Sequence, residues 1–151
     1  MDLNITQAEF GVRPPVSKPI PEFLLEVGEE GIRELISKHY DAIKQSDIYH
    51  LFPQDDAEFK QAKVNSADFF IQICGGPKYF NTNRGAPQMV GRHAPFRIDA
   101  KARITWLELY KPLLEELKDK GVTERSLYSF WRYLDIFSIW MINTPAKSNE
   151  I

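Results

Sequence analysis

Apolar residues recur at helical spacing in four stretches of the chain, and no stretch shows the sustained alternation of a half-buried strand. The predicted helices run from about residue 29 to 45, 56 to 74, 99 to 118 and 123 to 143. Asp55, with Glu58 three residues later, is typical of a helix N-terminus. Pro112 should kink the third helix, and Gly121 marks its end. The pattern predicts an all-α protein.

The N-terminal residues follow a different pattern. Four prolines fall within eight residues, namely Pro14, Pro15, Pro19 and Pro21. Such a density of proline favours extended backbone over helix. We therefore predict a proline-rich arm over residues 1–25, either disordered or laid over the surface, then one domain over 26–146 and a tail over 147–151.

Composition and charge narrow the possible functions. The chain has 151 residues and a net charge of −2, so it has no positive field to gather nucleic acid. Its longest strongly apolar stretch, residues 136–142, is far shorter than the ~20 residues that a membrane span needs. No secretory signal is recognisable, and a single cysteine, Cys74, can form neither an intrachain disulfide nor a cysteine cage for zinc. We expect a cytoplasmic protein with no membrane or nucleic-acid partner.

Between residues 75 and 98 the helical pattern breaks down. Seven glycines and prolines interrupt it: Gly75, Gly76, Pro77, Gly85, Pro87, Gly91 and Pro95. A connection this long inside a compact domain is usually functional. The segment also carries three arginines and His93. Because Pro95 restricts Ala94 away from helical backbone, His93 should lie near the end of a short helical turn.

His93 has two interpretations on this evidence. It is either a loop histidine bonded to the backbone or a single axial ligand to haem iron. A haem site also needs an aromatic-lined slot and cations near the two haem propionates. Other chemistries lack their signatures. No two of the three histidines have helical ligand spacing for zinc, and no nucleophile elbow or phosphate-binding glycine motif is present. Asp55 and Asp56 are more simply a helix start than a catalytic pair.

Several runs of residues resemble those of the truncated haemoglobins of group II. They are Gly-Gly-Pro-Lys-Tyr-Phe at 75–80, Arg-Gly-Ala-Pro at 84–87, Arg-His-Ala-Pro-Phe-Arg-Ile at 92–98 and Trp-Leu at 106–107. Upstream, Tyr40 and the run at 51–56 fit the same family, as do the runs at 133–134 and 142–145 downstream. The resemblance covers about residues 27–146 in order. It implies a two-over-two helical sandwich with an irregular glycine- and proline-rich segment before the proximal helix.

The resemblance also implies the cofactor and the central residues. The cofactor would be haem b, iron protoporphyrin IX, with His93 as the proximal ligand of a five-coordinate iron that binds O₂, CO or NO. Tyr40 and Trp106 match the distal tyrosine and tryptophan whose donors stabilise the bound ligand. The alternative for each of these two is a core aromatic residue with no role at a ligand.

Further matches assign the remaining pocket residues. Haem contacts are expected from Phe52, Ala62, Ser66, Phe69, Phe70, Met89, Phe96 and Ile98. Arg92 is the best propionate partner, and Tyr79 and Arg84 are weaker candidates. The chain departs from the family where Phe52 replaces a common tyrosine, where Ala62 occupies a frequent distal histidine position, and where Cys74 stands at a common aromatic position.

Two distal donors imply slow ligand release, which suits redox chemistry better than O₂ delivery. The expected activity resembles NO dioxygenation or peroxide detoxification. Because no flavin or dinucleotide motif is present, electrons would come from a separate reductase or a small reductant. The alternative is a non-enzymatic haem-based O₂ or NO sensor or carrier that uses the N-terminal arm to bind a partner. A third alternative is a helical scaffold without haem.

Overall fold

The computed structural model describes residues 1–145, which contain six α-helices and no strand. The prediction of an all-α protein is confirmed. Residue 146 and the predicted tail at 147–151 lie outside the described residues. The helices are α1 (Pro21–Lys44), α2 (Asp56–Ile73), α3 (Tyr79–Arg84), α4 (Met89–His93), α5 (Ala100–Asp119) and α6 (Glu124–Met141), with a 3₁₀ turn at Tyr49–Leu51.

Helix α1 begins earlier than the sequence pattern predicted. Pro21 stands in its first turn, where the missing N–H needs no partner and the fixed φ suits a helix. The backbone leaves the helical conformation at Gly28, with φ 78° and ψ 163°. This is a conformation that glycine adopts without a steric penalty. The last residues of the predicted arm therefore belong to a helix.

The ends of the other long helices follow local capping chemistry. The Asp55 carboxylate accepts a hydrogen bond from the backbone N–H of Glu58 at 3.1 Å, as the sequence predicted. Asp99 and Thr123 cap α5 and α6 through their side chains. Helix α5 continues through Pro112, and the left-handed φ of 104° at Gly121 follows its end.

Two pairs of helices form the core. Helices α1 and α2 pack together, α5 and α6 pack together, and α1 contacts both members of the second pair. The buried side chains between the pairs are large and apolar, with Phe23 of α1 stacked on Phe130 of α6 at 4.4 Å between ring centroids. Burial of these faces stabilises the sandwich and leaves α3 and α4 to close one side of it.

Residues 1–20 lie across the surface of α6. The Trp131 indole donates to the carbonyl of Asn4 at 2.8 Å. The Trp140 indole donates to the carbonyl of Pro14 at 2.7 Å. Leu3 is buried among the core residues. Of the two alternatives for this segment, the structure has it laid over the surface.

No helix within residues 1–145 combines the length and the apolar character that crossing a bilayer requires.

Candidate functional site

Residues from all six described helices line a cavity of about 310 Å³. This volume lies within the range of small-molecule and cofactor sites. Six phenylalanines contribute flat apolar surface, namely Phe52, Phe69, Phe70, Phe80, Phe96 and Phe137. Thirteen of the fourteen predicted site residues are in the wall: Tyr40, Phe52, Ala62, Ser66, Phe69, Phe70, Arg84, Met89, Arg92, His93, Phe96, Ile98 and Trp106.

His93 ends α4, the short helical turn that Pro95 predicted, and its ring lies in the cavity wall. Its Nδ1 lies 2.7 Å from the backbone carbonyl oxygen of Met89. Because a carbonyl oxygen only accepts, Nδ1 carries the hydrogen and the lone pair of the neutral ring resides on Nε2. Burial lowers the pKa of His93, which favours this neutral form. A structural histidine would make this bond to the backbone. The same bond also orients an imidazole that binds a metal.

Asn143, just beyond α6, holds the backbone around His93. Its amide nitrogen donates to the carbonyl of His93 at 3.1 Å. Its amide oxygen accepts from the backbone N–H of Ile98 at 2.9 Å. One side chain just beyond α6 therefore fixes the irregular segment at His93 and again at Ile98, five residues later.

Arg92 lines the cavity but uses much of its guanidinium elsewhere. Its Nε donates to the carbonyl of Pro87 at 2.6 Å. One terminal nitrogen donates to the carbonyls of Arg84 and Ala86 at 2.9 and 3.0 Å. The side chain also lies over the Phe80 ring. Arg92 thus holds the loop before α4, a role that the sequence did not indicate, and its role at a propionate stays a prediction.

Tyr79 is the predicted site residue that the structure places outside the cavity wall. Its hydroxyl donates to Glu29 of α1 at 2.8 Å, and its ring lies beneath the Arg33 guanidinium. Tyr79 therefore joins α3 to α1, and its role as a cofactor contact stays a prediction. Arg84, at the other end of α3, is exposed and lines the cavity.

Tyr40 and Ser66 supply hydroxyl groups from α1 and α2. Tyr40 is buried, and its ring meets Phe52 and Phe59 edge to face. Burial raises the pKa of Tyr40 to about 12, partly offset by the Ser66 hydroxyl. The Tyr40 hydroxyl therefore stays protonated and remains a hydrogen-bond donor at neutral pH. Ala62, one turn before Ser66, adds no polar group to this part of the wall.

Trp106 of α5 lines the same cavity and is half-buried. The indoles of Trp131 and Trp140 both donate to backbone carbonyls of the arm. Within residues 1–145 the Trp106 indole N–H makes no hydrogen bond to the protein, and its nitrogen is accessible to solvent. Because an indole is a donor only, this N–H can donate to water or to a polar atom of a molecule bound in the cavity.

The sequence interpretation missed Arg103 and Ser138, which line the cavity from α5 and α6. Arg103 is 3% exposed and donates to the Ser138 hydroxyl at 2.9 Å. A signal was available, since Arg103 stands three residues before Trp106 on the apolar face of α5, where a charge needs a buried partner. Phe80 and Phe137 were also missed, because spacing does not separate a pocket aromatic from a core one.

Comparison with known proteins gives the class to which this fold and site belong. The family model described as bacterial-like globin matches residues 26–143. The chain therefore belongs to the bacterial-like globin family, whose members bind diatomic gases through haem.

Individual relatives of the chain include group II truncated haemoglobins. The crystal structure of phosphate-bound Hell's gate globin IV superposes with a TM-score of 0.83 at 36% identity, covering 95% of this chain and 89% of that one. The group 2 truncated hemoglobin YjbI of Bacillus subtilis is 25% identical over 125 residues, which are 82% of this chain and 90% of the relative. Two-on-two hemoglobin-3 of Arabidopsis thaliana is 30% identical over 81 residues, 53% of this chain, and the match spans only 46% of that protein.

Proposed function

We propose that the chain binds haem b with His93 as proximal ligand, and binds O₂, CO or NO on the opposite side beside Tyr40 and Trp106. The observation that carries this proposal is the Nδ1 of His93 at 2.7 Å from the Met89 carbonyl, in the wall of an aromatic-lined cavity. That bond directs the free Nε2 lone pair away from the backbone. The cavity therefore fits a flat, apolar, metal-containing group that needs one imidazole ligand.

Bound haem would supply an iron atom that takes a diatomic ligand and exchanges electrons. The chain's own residues set how that iron is held. The Met89 carbonyl fixes the tautomer of His93 and raises the basicity of its ring. Arg84 and the remaining terminal nitrogen of Arg92 are the cations offered to the propionates.

Two donors would act on the bound ligand. The Tyr40 hydroxyl is protonated at neutral pH, since burial raises its pKa to about 12, and the Trp106 indole N–H makes no hydrogen bond to residues 1–145. Each hydrogen bond to the bound ligand would contribute about 1 kcal/mol net to ligand binding, and more in a dry pocket. The pair would therefore slow O₂ release by ~10- to 100-fold. Slow release favours chemistry on the ligand over delivery of it.

We infer that this chemistry is redox detoxification, with NO or peroxide as the second reactant and a separate reductase or small reductant as the electron source. Tyr40 and Trp106 are the residues with a direct role in it, since both would touch the reacting ligand. The arm supports this assignment over a partner-binding sensor or carrier, because Trp131 and Trp140 hold it against α6.

The test is NO consumption by the haem-loaded, O₂-equilibrated protein in the presence of a chemical reductant. We expect sustained conversion of NO to nitrate, together with slow O₂ release measured separately by stopped-flow displacement with CO. Fast O₂ release without NO consumption would instead support the carrier.

A further inference from the structure

His39 is a buried ionisable residue that the proposed ligand chemistry does not use. It lies in α1 directly before Tyr40 and is 1% exposed. Its Nε2 lies 2.9 Å from the backbone carbonyl oxygen of Trp106. Because the carbonyl only accepts, Nε2 carries the hydrogen. Burial lowers the pKa of His39 to about 3, so the ring is neutral at physiological pH.

Three rings meet around this hydrogen bond. The His39 imidazole stacks on Tyr110, with ring centroids 3.5 Å apart and planes 17° apart. The Trp106 ring is nearly perpendicular to both neighbours, with centroids 5.3 Å and planes 86° from His39 and 5.0 Å and 77° from Tyr110. Edge-to-face contacts of this kind are favourable and directional, so two buried rings restrict the orientation of the indole.

The orientation of Trp106 depends on such contacts more than that of the other tryptophans does. Trp131 and Trp140 are each held by a hydrogen bond from the indole to the arm. The Trp106 indole has no such bond to residues 1–145, and it faces a cavity on one side. His39 therefore supplies both a ring contact and the side-chain hydrogen bond that fixes the backbone from which the indole projects.

We propose that His39 is a positioning residue that holds the Trp106 indole at the ligand. The inference rests on the proposed function, in which Trp106 donates to that ligand. Successive residues of a helix project about 100° apart. Helix α1 thus presents Tyr40 to the cavity and His39 to α5. One turn of α1 therefore carries one distal donor, Tyr40, and positions the other, Trp106.

The first test uses the apoprotein labelled with ¹⁵N and compares His39→Phe with His39→Gln. Phenylalanine keeps an aromatic ring without the N–H donor, and glutamine keeps an N–H donor without the ring. Tyr110→Phe, which keeps the stacked ring, is the control. We expect His39→Phe to shift and broaden the indole N–H resonance of Trp106, assigned with Trp106→Phe. The resonances of Trp131 and Trp140 are internal references and should stay in place.

The second test measures O₂ dissociation from the haem-loaded variants as a double-mutant cycle. Loss of one hydrogen bond predicts roughly a 3- to 10-fold faster release in His39→Phe. In the Trp106→Phe background, His39→Phe should add no further change, since it acts through the indole. The O₂ dissociation rate of His39→Gln should lie closer to that of the wild type. If His39→Phe folds poorly, His39→Gln replaces it in the double-mutant cycle.

The outcomes separate the two proposals. If Trp106→Phe releases O₂ at the wild-type rate, the distal role of Trp106 fails, whatever His39 does. If Trp106→Phe is fast but both His39 variants retain the wild-type rate and the wild-type indole resonance, the positioning role of His39 is overturned. An equal acceleration by His39→Phe in both backgrounds would also overturn it, because His39 would then act independently of Trp106.

Discussion

Arg103 and Asp135 form a buried ion pair behind the cavity wall, with Nη2 and Oδ1 2.5 Å apart. The Asp135 carboxylate also accepts from the backbone N–H and the hydroxyl of Thr6, at 3.0 and 2.6 Å. Arg103 in turn donates to the carbonyl of Thr6 at 2.9 Å. The pair therefore fastens the N-terminal arm to α5 and α6 at a point where Arg103 also borders the cavity.

Breaking this pair should destabilise the fold strongly. Asp135→Ala leaves the Arg103 guanidinium buried without its counter-ion, which typically costs about 3–5 kcal/mol. Urea unfolding of the apoprotein measures the change. Glu108→Ala, which removes the exposed pair with Lys111, is the control and should cost at most about 1 kcal/mol. Equal destabilisation by the two variants would contradict a structural role for the buried pair.

The distal donors should each slow O₂ release. Tyr40→Phe and Trp106→Phe keep an aromatic ring and remove the donor, so each should accelerate dissociation by roughly 5- to 10-fold. Stopped-flow displacement by CO measures the rate. Trp131→Phe is the matched control, because its indole bonds to the arm and not to the cavity. Wild-type rates in both distal variants would mean that the donors are misassigned.

Arg92 and Arg84 should differ in their effect on the apoprotein. Arg92→Met removes the bonds to the carbonyls of three residues before α4 and should cost about 1–2 kcal/mol of unfolding free energy. Arg84→Met removes an exposed side chain and should change that energy little. Both should weaken haem retention if both cations serve the propionates. An unchanged unfolding energy in Arg92→Met would argue against the role of Arg92 in holding the loop.

The buried histidine predicts an acid-dependent loss of stability. The folded-state pKa of His39 is about 3 against an ordinary 6.5, so between these values the unfolded chain binds the extra proton. Stability is therefore fully present above about pH 6.5 and falls with decreasing pH by up to about 1.4 kcal/mol per pH unit. Urea unfolding of the apoprotein at several pH values measures the slope. His39→Phe should reduce the slope to the part that the buried His93 contributes, and an unchanged slope would mean that His39 is not held neutral.

Local chemistry made much of the fold predictable. Asp55 and Gly121 marked helix ends that the structure confirms, because caps and left-handed glycines depend on few neighbours. The start of α1 was missed because Pro21 was taken as part of an extended segment, whereas proline is also favoured in a first helical turn. Whether the arm is disordered or lies on the surface could not be predicted, because its bonds to α6 join residues more than 100 positions apart.

The site was predictable where a motif fixes the backbone and less so where partners come from elsewhere. His93 could be placed at the end of a short turn, since Pro95 constrains the chain there. The bond from Tyr79 to Glu29 was not predicted, because Glu29 lies on another helix. The hydrogen bonds from Arg92 to backbone carbonyls could not be predicted either, because they form only once the preceding loop has folded.

The most direct test of the account is an absorption spectrum of the purified protein with added haem, ferric and then reduced under CO. We predict a sharp, stoichiometric Soret band that shifts in the ferrous CO form. His93→Ala should lose it, whereas His50→Ala, which changes an exposed histidine, should keep it. Full haem loading of His93→Ala with an unchanged spectrum would contradict the proximal assignment. The absence of any specific haem spectrum in the wild type would contradict haem binding itself.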